Sequence, residues 1–149
     1  MISKMTETGD TFVLLDGDEL RNALQSRNNY DRSSRIELAK IYSRLASLLS
    51  NQGLNVIVST VSLFHEVHIY NRKIHRNYRE VFLEVDLGLL KSGPRKDMYM
   101  FDDSSYLQQI VPEFPVNPDL HLKAIQQDDR HLWLDELIQK SKLWLSACL

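Results

Sequence analysis

The 149 residues carry 18 basic and 20 acidic side chains, a formal net charge of −2, and 43% hydrophobic residues, which is typical of one folded domain and excludes a general polyanion binder. The only cysteine, Cys148, cannot form an internal disulfide, the polar N-terminus lacks the apolar core of a signal peptide, and no apolar run approaches the length of a membrane span. We therefore expect a single cytoplasmic domain over residues 1–149 with no nucleic-acid or membrane partner.

The first predicted strand ends in acidic residues. Phe12 to Leu15 form a short apolar run, and Asp16, Gly17 and Asp18 follow it directly. Continuous apolar runs are typical of buried parallel strands, and open α/β sheets place their sites at the carboxyl ends of such strands. We interpret this stretch as a strand that delivers two carboxylates to a site.

Helices alternate with strands after Asp18. A helix is predicted to begin at Asp31 or Ser33, to carry an apolar stripe, and to stop at Gly53, where a left-handed C-cap belongs. The stripe is Leu38, Ile41, Leu45, Leu48 and Leu49. Other helices are predicted over 18–25, 63–75 with Ser62 as its cap, 87–91 and 129–147, and strands over 54–60, 80–86 and 119–122. This alternation predicts an α/β fold with a mostly parallel sheet and helices on both faces.

The residues around the first strand allow two interpretations. Two carboxylates separated by one residue can hold Mg²⁺ or accept a proton from an attacking hydroxyl, and Arg21, one helical turn after Asp18, could bind a phosphate or sulfate. Alternatively, Asp16 or Asp18 caps the helix and Arg21 lies on a solvated face. The local sequence leaves both open.

The order of motifs along residues 12–122 resembles the adenylylsulfate (APS) kinase family. Asp16, Gly17, Asp18 and Arg21 match its D-G-D-x-x-R motif. Residues 30–40, a leucine-rich helix and the strand that follows match its F-S-x-x-D-R-x-E-N-I-R-R run and the elements after it. The resemblance implies a P-loop-kinase-like fold and transfer of the γ-phosphoryl group of ATP, with Mg²⁺, to a hydroxyl of a nucleotide acceptor.

The resemblance also implies roles for individual residues. Asp16 and Asp18 match the acids near the metal and the acceptor hydroxyl, which implies that they are catalytic and metal-binding. The residues implied to bind the acceptor are Arg21, Tyr30, Arg35, Val61, Ser62, Lys96 and Tyr99. Residues 92–118 correspond to the lid of the family.

Three positions depart from the family pattern. Ser34 replaces an acid, Leu38 replaces an asparagine, and His65 replaces an arginine. The run S-L-F-H-E-V-H-I-Y-N-R resembles a branch of the family that phosphorylates a different nucleotide, for example cytidine diphosphoramidate. The candidate acceptors are therefore adenylylsulfate and a related nucleotide of this kind.

The phosphate-binding loop of such kinases is not found in this sequence. Its pattern G-x-x-x-x-G-K-[ST] cradles the ATP phosphates, and none of the five glycines is followed by lysine. We expect a chain that lacks the first strand, the P-loop and most of the first helix, so its cofactor-binding residues stay unknown and it is inactive as a kinase alone. The alternative is a non-catalytic remnant that retains only acceptor-nucleotide binding.

Two further patterns are expected to be structural. His65-Glu66-Val67-His68 lacks the H-E-x-x-H spacing of zinc proteases, and no third ligand is evident, so zinc is not expected. The basic residues between 72 and 79 surround a helix end, where cations are favourable, and indicate a solvated face. The sequence leaves open whether the chain forms a homodimer.

Overall fold

The computed structural model describes residues 11–24, 31–86, 112–124 and 130–146. Three predicted site residues, Tyr30, Lys96 and Tyr99, lie outside these ranges, as do the helical piece predicted over 87–91 and most of the lid-like segment 92–118. In chain order the elements are β1 (Phe12–Asp16), α1 (Gly17–Ala23), α2 (Arg32–Ser50), β2 (Asn55–Ser59), α3 (His65–Ile74), β3 (Val81–Val85), β4 (Leu120–Ala124) and α4 (Arg130–Ser146). None of the helices within the described ranges is long and apolar enough to cross a bilayer.

The described residues form two compact units, and the fold class is confirmed as α/β with parallel strand pairs. The first unit contains the described residues up to Tyr78 together with Pro112–Pro115. The second contains the described residues from Arg79 to Asp86 and from Val116 onwards. A single domain over all 149 residues stays a prediction.

The core of the first unit lies between the β1–β2 pair and α2. The two strands run parallel, with Phe12 opposite Asn55 and Asp16 opposite Ser59. Its buried cluster consists of Leu15, Leu20, Tyr42 and Ala46, with Val13, Leu38, Leu45, Leu49 and Val56 packed against it. Burial of this apolar surface is the main source of stability for the unit.

The predicted stripe of α2 is correct in part. Leu38, Leu45 and Leu49 pack on the core, but Ile41 is 38% exposed and Leu48 is 58% exposed. The side chains that fill these places are Tyr42 and Ala46, which are each 5% exposed. The buried face of the helix therefore runs along Tyr42 and Ala46 and turns away from Ile41 and Leu48.

The ends of α2 follow the sequence prediction. Asp31 is the N-cap, and its carboxylate accepts a hydrogen bond from the Ser34 backbone N–H at 2.9 Å. The helix ends at Ser50, and Gly53 has a φ of +84°, a conformation that residues with a side chain adopt at a cost. Of the two predicted caps, the structure therefore selects Asp31.

The predicted cap of α3 is wrong. The helix begins at His65, with Phe64 at the N-cap position and no hydrogen bond from its side chain, so Ser62 lies outside the helix. The His65 backbone N–H instead donates to the Glu113 carboxylate at 2.7 Å. A distant acid thus satisfies a helix end that the prediction had assigned to a local serine.

The second unit contains the β3–β4 pair and α4. Leu120 and Leu122 of β4 are buried, and the register places Val81 opposite Leu120 and Val85 opposite Ala124. One face of α4, made up of Leu134, Leu137, Ile138 and Leu145, is at least half-buried, whereas Asp135, Lys140 and Lys142 are exposed.

Candidate functional site

The chain segments that leave β1 and β2 touch each other in the first unit. Asp16 and Ser59 are the last paired residues of the two strands. Gly17 follows Asp16 and packs directly against Thr60. The two parallel strands therefore end at one edge, where Asp16, Gly17 and the residues after Ser59 lie together, as the apolar run and its acidic end predicted.

The two acids at this edge have different partners. Asp16 is the N-cap of α1, and its Oδ1 accepts hydrogen bonds from the backbone N–H groups of Asp18 at 2.9 Å and Glu19 at 3.3 Å. Asp18 forms an ion pair with Arg21, and both side chains are about half exposed. Helix capping, one of the two interpretations of the sequence, is therefore observed for Asp16. A catalytic or metal-binding role for these acids stays a prediction.

Arg35 lies near Val61, the residue that follows Thr60. Its Nη2 is 3.4 Å from the Val61 carbonyl oxygen, and its guanidinium lies 5.4 Å from the centroid of the Phe64 ring. Burial lowers the pKa of Arg35, and the positive charge of Arg21 lowers it further. In the part of the chain that the structure describes, no carboxylate lies within ion-pair distance of Arg35. A partly buried guanidinium without an acid beside it is suited to bind an anion.

A second arginine uses the same aromatic ring. The Arg32 guanidinium lies 5.5 Å from the centroid of the Phe64 ring, and Phe64 itself is 2% exposed. Arg32 also pairs with the Glu113 carboxylate. The hydrogen bonds that Glu113 accepts, first from Arg32 and then from the His65 N–H, lower its pKa. The ring is therefore a fixed platform under two cations, of which one has an acid partner.

Sequence reasoning missed Phe64, Arg32 and Glu113. The spacing of Arg32 and Arg35, three residues apart, does place both on one side of a helix and could have indicated a pair. Glu113 gives no such signal, because 81 residues separate it from Arg32. Contacts of this kind depend on the tertiary fold.

Two further predicted site residues, Val61 and Ser62, follow β2 in the chain, and Arg35 contacts the first of them. Val61 is 63% exposed. The hydroxyl oxygen of Ser62 is buried and has no hydrogen-bond partner among the described residues. A buried hydroxyl without a partner is costly, so Ser62 is a candidate to receive a ligand group or a water molecule.

The histidines of the His65–His68 run bind backbone carbonyl groups. The Nε2 atom of His65 is 2.8 Å from the Phe114 carbonyl oxygen, and the Nε2 atom of His68 is 2.8 Å from the Ser62 carbonyl oxygen. No group of three or more metal-ligating side chains is found in the described ranges. These contacts give both rings a structural role in holding the chain around α3.

The fold is that of the P-loop kinases. It resembles the structure of the Mycobacterium tuberculosis APS kinase CysC in complex with AMPPNP and APS, with a TM-score of 0.74 and 26% identity over 97% of this chain and 85% of that chain. The sequence model of the adenylylsulphate kinase family matches residues 1–123, and the chain belongs to this family.

Curated relatives carry two different names. A cytidine diphosphoramidate kinase of Campylobacter jejuni subsp. jejuni serotype O:2 is 42% identical over 87 residues, which are 58% of this chain and 51% of that protein. An adenylyl-sulfate kinase of Deinococcus deserti is 27% identical over 92% of this chain and 80% of its own length. The matched part thus spans about half the length of the Campylobacter relative.

Proposed function

We propose that the protein acts on the acceptor side of a phosphotransfer reaction, in which the γ-phosphoryl group of ATP moves to a hydroxyl of a nucleotide. The observation that carries this proposal is Arg35, a partly buried guanidinium beside Val61 with no acid partner among the described residues. Arg35 and the neighbouring Arg21 would bind the anionic groups of the acceptor through charge-assisted hydrogen bonds.

The other site residues take roles around this anion site. Asp18 would accept the proton of the attacking hydroxyl, and Asp16 and Asp18 offer the carboxylate oxygens that Mg²⁺ prefers. Val61 and Ser62, together with Tyr30, Lys96 and Tyr99, would surround the acceptor. These assignments follow the family resemblance and the common edge at which β1 and β2 end.

The 149 residues do not fit ATP as they fit the acceptor. The pattern G-x-x-x-x-G-K-[ST], whose backbone N–H groups and lysine hold the nucleotide phosphates, is not found among them. The role we propose for them is therefore the binding of the nucleotide acceptor, and the cytoplasm is the compartment we propose for the protein.

Two observations favour an acceptor related to cytidine diphosphoramidate over adenylylsulfate. Leu38 and His65 replace an asparagine and an arginine of the APS kinase pattern, so two polar contacts expected for adenylylsulfate are changed. The Campylobacter relative at 42% identity carries the name cytidine diphosphoramidate kinase.

Isothermal titration of the purified chain with adenylylsulfate and with cytidine 5′-diphosphate, an analogue of the diphosphoramidate, tests this proposal. We expect cytidine diphosphate to bind more tightly, and Arg35→Gln to weaken binding about 10- to 100-fold, because a hydrogen bond to a charged group is lost. Arg44→Gln is the matched control, since Arg44 is an exposed arginine on the same helix. Equal affinities of the Arg35→Gln variant and the unaltered chain would contradict the proposal.

A second candidate is a non-catalytic protein that retains only acceptor binding. The 149 residues carry the acceptor-side motif of Asp16, Gly17, Asp18 and Arg21 and not the ATP-loop pattern, which is consistent with this candidate. Incubation of the chain with ATP, Mg²⁺ and either acceptor should then give no phosphorylated nucleotide. Formation of that product by the purified chain would exclude this candidate.

A further inference from the structure

Glu113 joins the segment Pro112–Pro115 to the N-terminal ends of α2 and α3. Its backbone N–H donates to the Leu63 carbonyl oxygen at 3.0 Å, and its Oε2 accepts from the His65 backbone N–H at 2.7 Å. Its Oε1 pairs with Arg32, and the next carbonyl, that of Phe114, lies 2.8 Å from the His65 Nε2. These contacts fix the Glu113 carboxylate beside the positive end of the α3 dipole.

The contacts of Glu113 continue to the anion site through a single aromatic ring. Phe64 is almost fully buried, so its ring has little freedom to move. Arg32 and Arg35 both lie over this ring, at 5.5 Å and 5.4 Å from its centroid. Two like charges that share one ring repel each other, and the pair between Arg32 and Glu113 offsets this repulsion on the Arg32 side.

We propose that Glu113 is a positioning residue for Arg35 in acceptor binding. It holds Arg32 on its own side of the ring and keeps Phe64 in place as a platform, so the guanidinium of Arg35 stays beside the Val61 carbonyl oxygen and without a competing partner. This inference rests on the proposed function, because Arg35 is the residue that receives the acceptor's anionic group.

The Glu113→Gln variant removes the charge and keeps an oxygen that can accept from the His65 N–H, so the fold should be retained. We expect its affinity for cytidine 5′-diphosphate to fall about three- to tenfold. In the unaltered chain the side chain of Arg35 is already held in place before binding, whereas in the variant it loses its freedom only when the ligand binds. The matched control is Glu84→Gln, because Glu84 is also a carboxylate that pairs with a cation, Lys123, and contacts a histidine, His121.

Two readouts separate positioning from a general structural effect. The first is the Nε–H signal of Arg35 in a ¹H–¹⁵N spectrum without ligand, which should shift in Glu113→Gln and stay in place in Glu84→Gln. The second is the affinity measured in an Arg35→Gln background, where Glu113→Gln should have no further effect, because its influence passes through Arg35.

The inference is overturned if the Arg35 signal does not change in Glu113→Gln, or if Glu113→Gln weakens binding as much in the Arg35→Gln background as in the unaltered chain. It is also overturned if Glu113→Gln tightens binding, because Glu113 would then be a charge that competes with the ligand. Absence of binding of both cytidine diphosphate and adenylylsulfate by the unaltered chain would instead overturn the proposed function. In that case the Arg35 signal alone would still support or overturn the positioning.

Discussion

Gly17 packs so closely on Thr60 that a Cβ atom on Gly17 would stand 3.0 Å from the Thr60 Cγ2 atom and 3.3 Å from the Ser59 carbonyl oxygen. A side chain at Gly17 would therefore require Thr60, which follows β2, to give way by a few tenths of an ångström. This close approach is what places the acids that flank Gly17 beside the end of β2 and near the chain segment that Arg35 contacts.

A Gly17→Ala variant tests this relationship. We expect its free energy of unfolding, measured with urea, to fall by about 1–3 kcal/mol, because a methyl group overpacks a buried contact. Gly53→Ala is the comparison, since a Cβ there meets nothing within 4 Å and its cost comes from the φ of +84°.

Asparagine distinguishes the two glycines. It tolerates positive φ, so Gly53→Asn should be milder than Gly53→Ala, whereas Gly17→Asn should be worse than Gly17→Ala. A Gly17→Ala variant as stable as the unaltered chain would show that the contact with Thr60 relaxes without cost.

Asp16 offers a test that separates helix capping from metal binding. Asparagine is as good an N-cap as aspartate, so Asp16→Asn should keep the free energy of unfolding, whereas Asp16→Ala should lower it by about 1 kcal/mol. If Asp16 also binds a divalent cation, Mn²⁺ should broaden the amide NMR signals of Asp18 and Glu19 in the unaltered chain and much less in Asp16→Asn. Equal broadening in both proteins would leave Asp16 with the capping role alone.

Local signals in the sequence predicted the local features of this fold. The sequence offered Asp31 and Ser33 as caps of the same helix, Gly53 as its stop and Phe12 to Leu15 as a strand, and the structure confirms Asp31, Gly53 and the strand. The acidic end of the first strand likewise predicted the edge at which β1 and β2 end together.

The failures occur where distant residues decide the outcome. Ser62 has the chemistry of a cap, but Glu113, 48 residues away from His65, takes that role through the tertiary fold. Periodicity assigned Ile41 to the core, although the neighbouring Tyr42 and Ala46 occupy it. Patterns along one helix indicate which faces are apolar, and the packing of the partner element selects among them.

The Phe64 ring should contribute both burial and cation–π interactions. We expect Phe64→Leu, which keeps an apolar side chain, to lower the free energy of unfolding by roughly 1–2 kcal/mol, since it loses packing and the contacts of the ring with Arg32 and Arg35. The matched measurement is the same substitution in a chain that carries Arg32→Gln and Arg35→Gln, where the loss should be smaller. Equal losses in both backgrounds would show that the arginines gain nothing from the ring.

Asp31 should make part of the stability depend on pH. Its carboxylate accepts hydrogen bonds from the hydroxyl groups of Ser33 and Ser34 and from the Ser34 N–H, and these bonds, that from Ser33 first, hold its pKa well below the ordinary value. The folded state therefore binds the proton less tightly than the unfolded state. This contribution to stability is complete above the ordinary carboxyl pKa of about 4 and is lost as the pH falls below it.

An Asp31→Asn variant isolates this contribution, because it keeps a capping oxygen and removes the titrating group. We expect its melting temperature to lie below that of the unaltered chain at pH 7, to fall less steeply below about pH 4, and to approach that of the unaltered chain there. The melting temperature of the variant should still depend on pH, because two other acids have lowered pKa values. Hydrogen bonds from Lys123 and then His121 lower the pKa of Glu84, and hydrogen bonds from Arg32 and then His65 lower the pKa of Glu113. Asp31→Ala, which loses the cap, should melt at a still lower temperature at pH 7. Parallel acid profiles for Asp31→Asn and the unaltered chain would contradict the assignment.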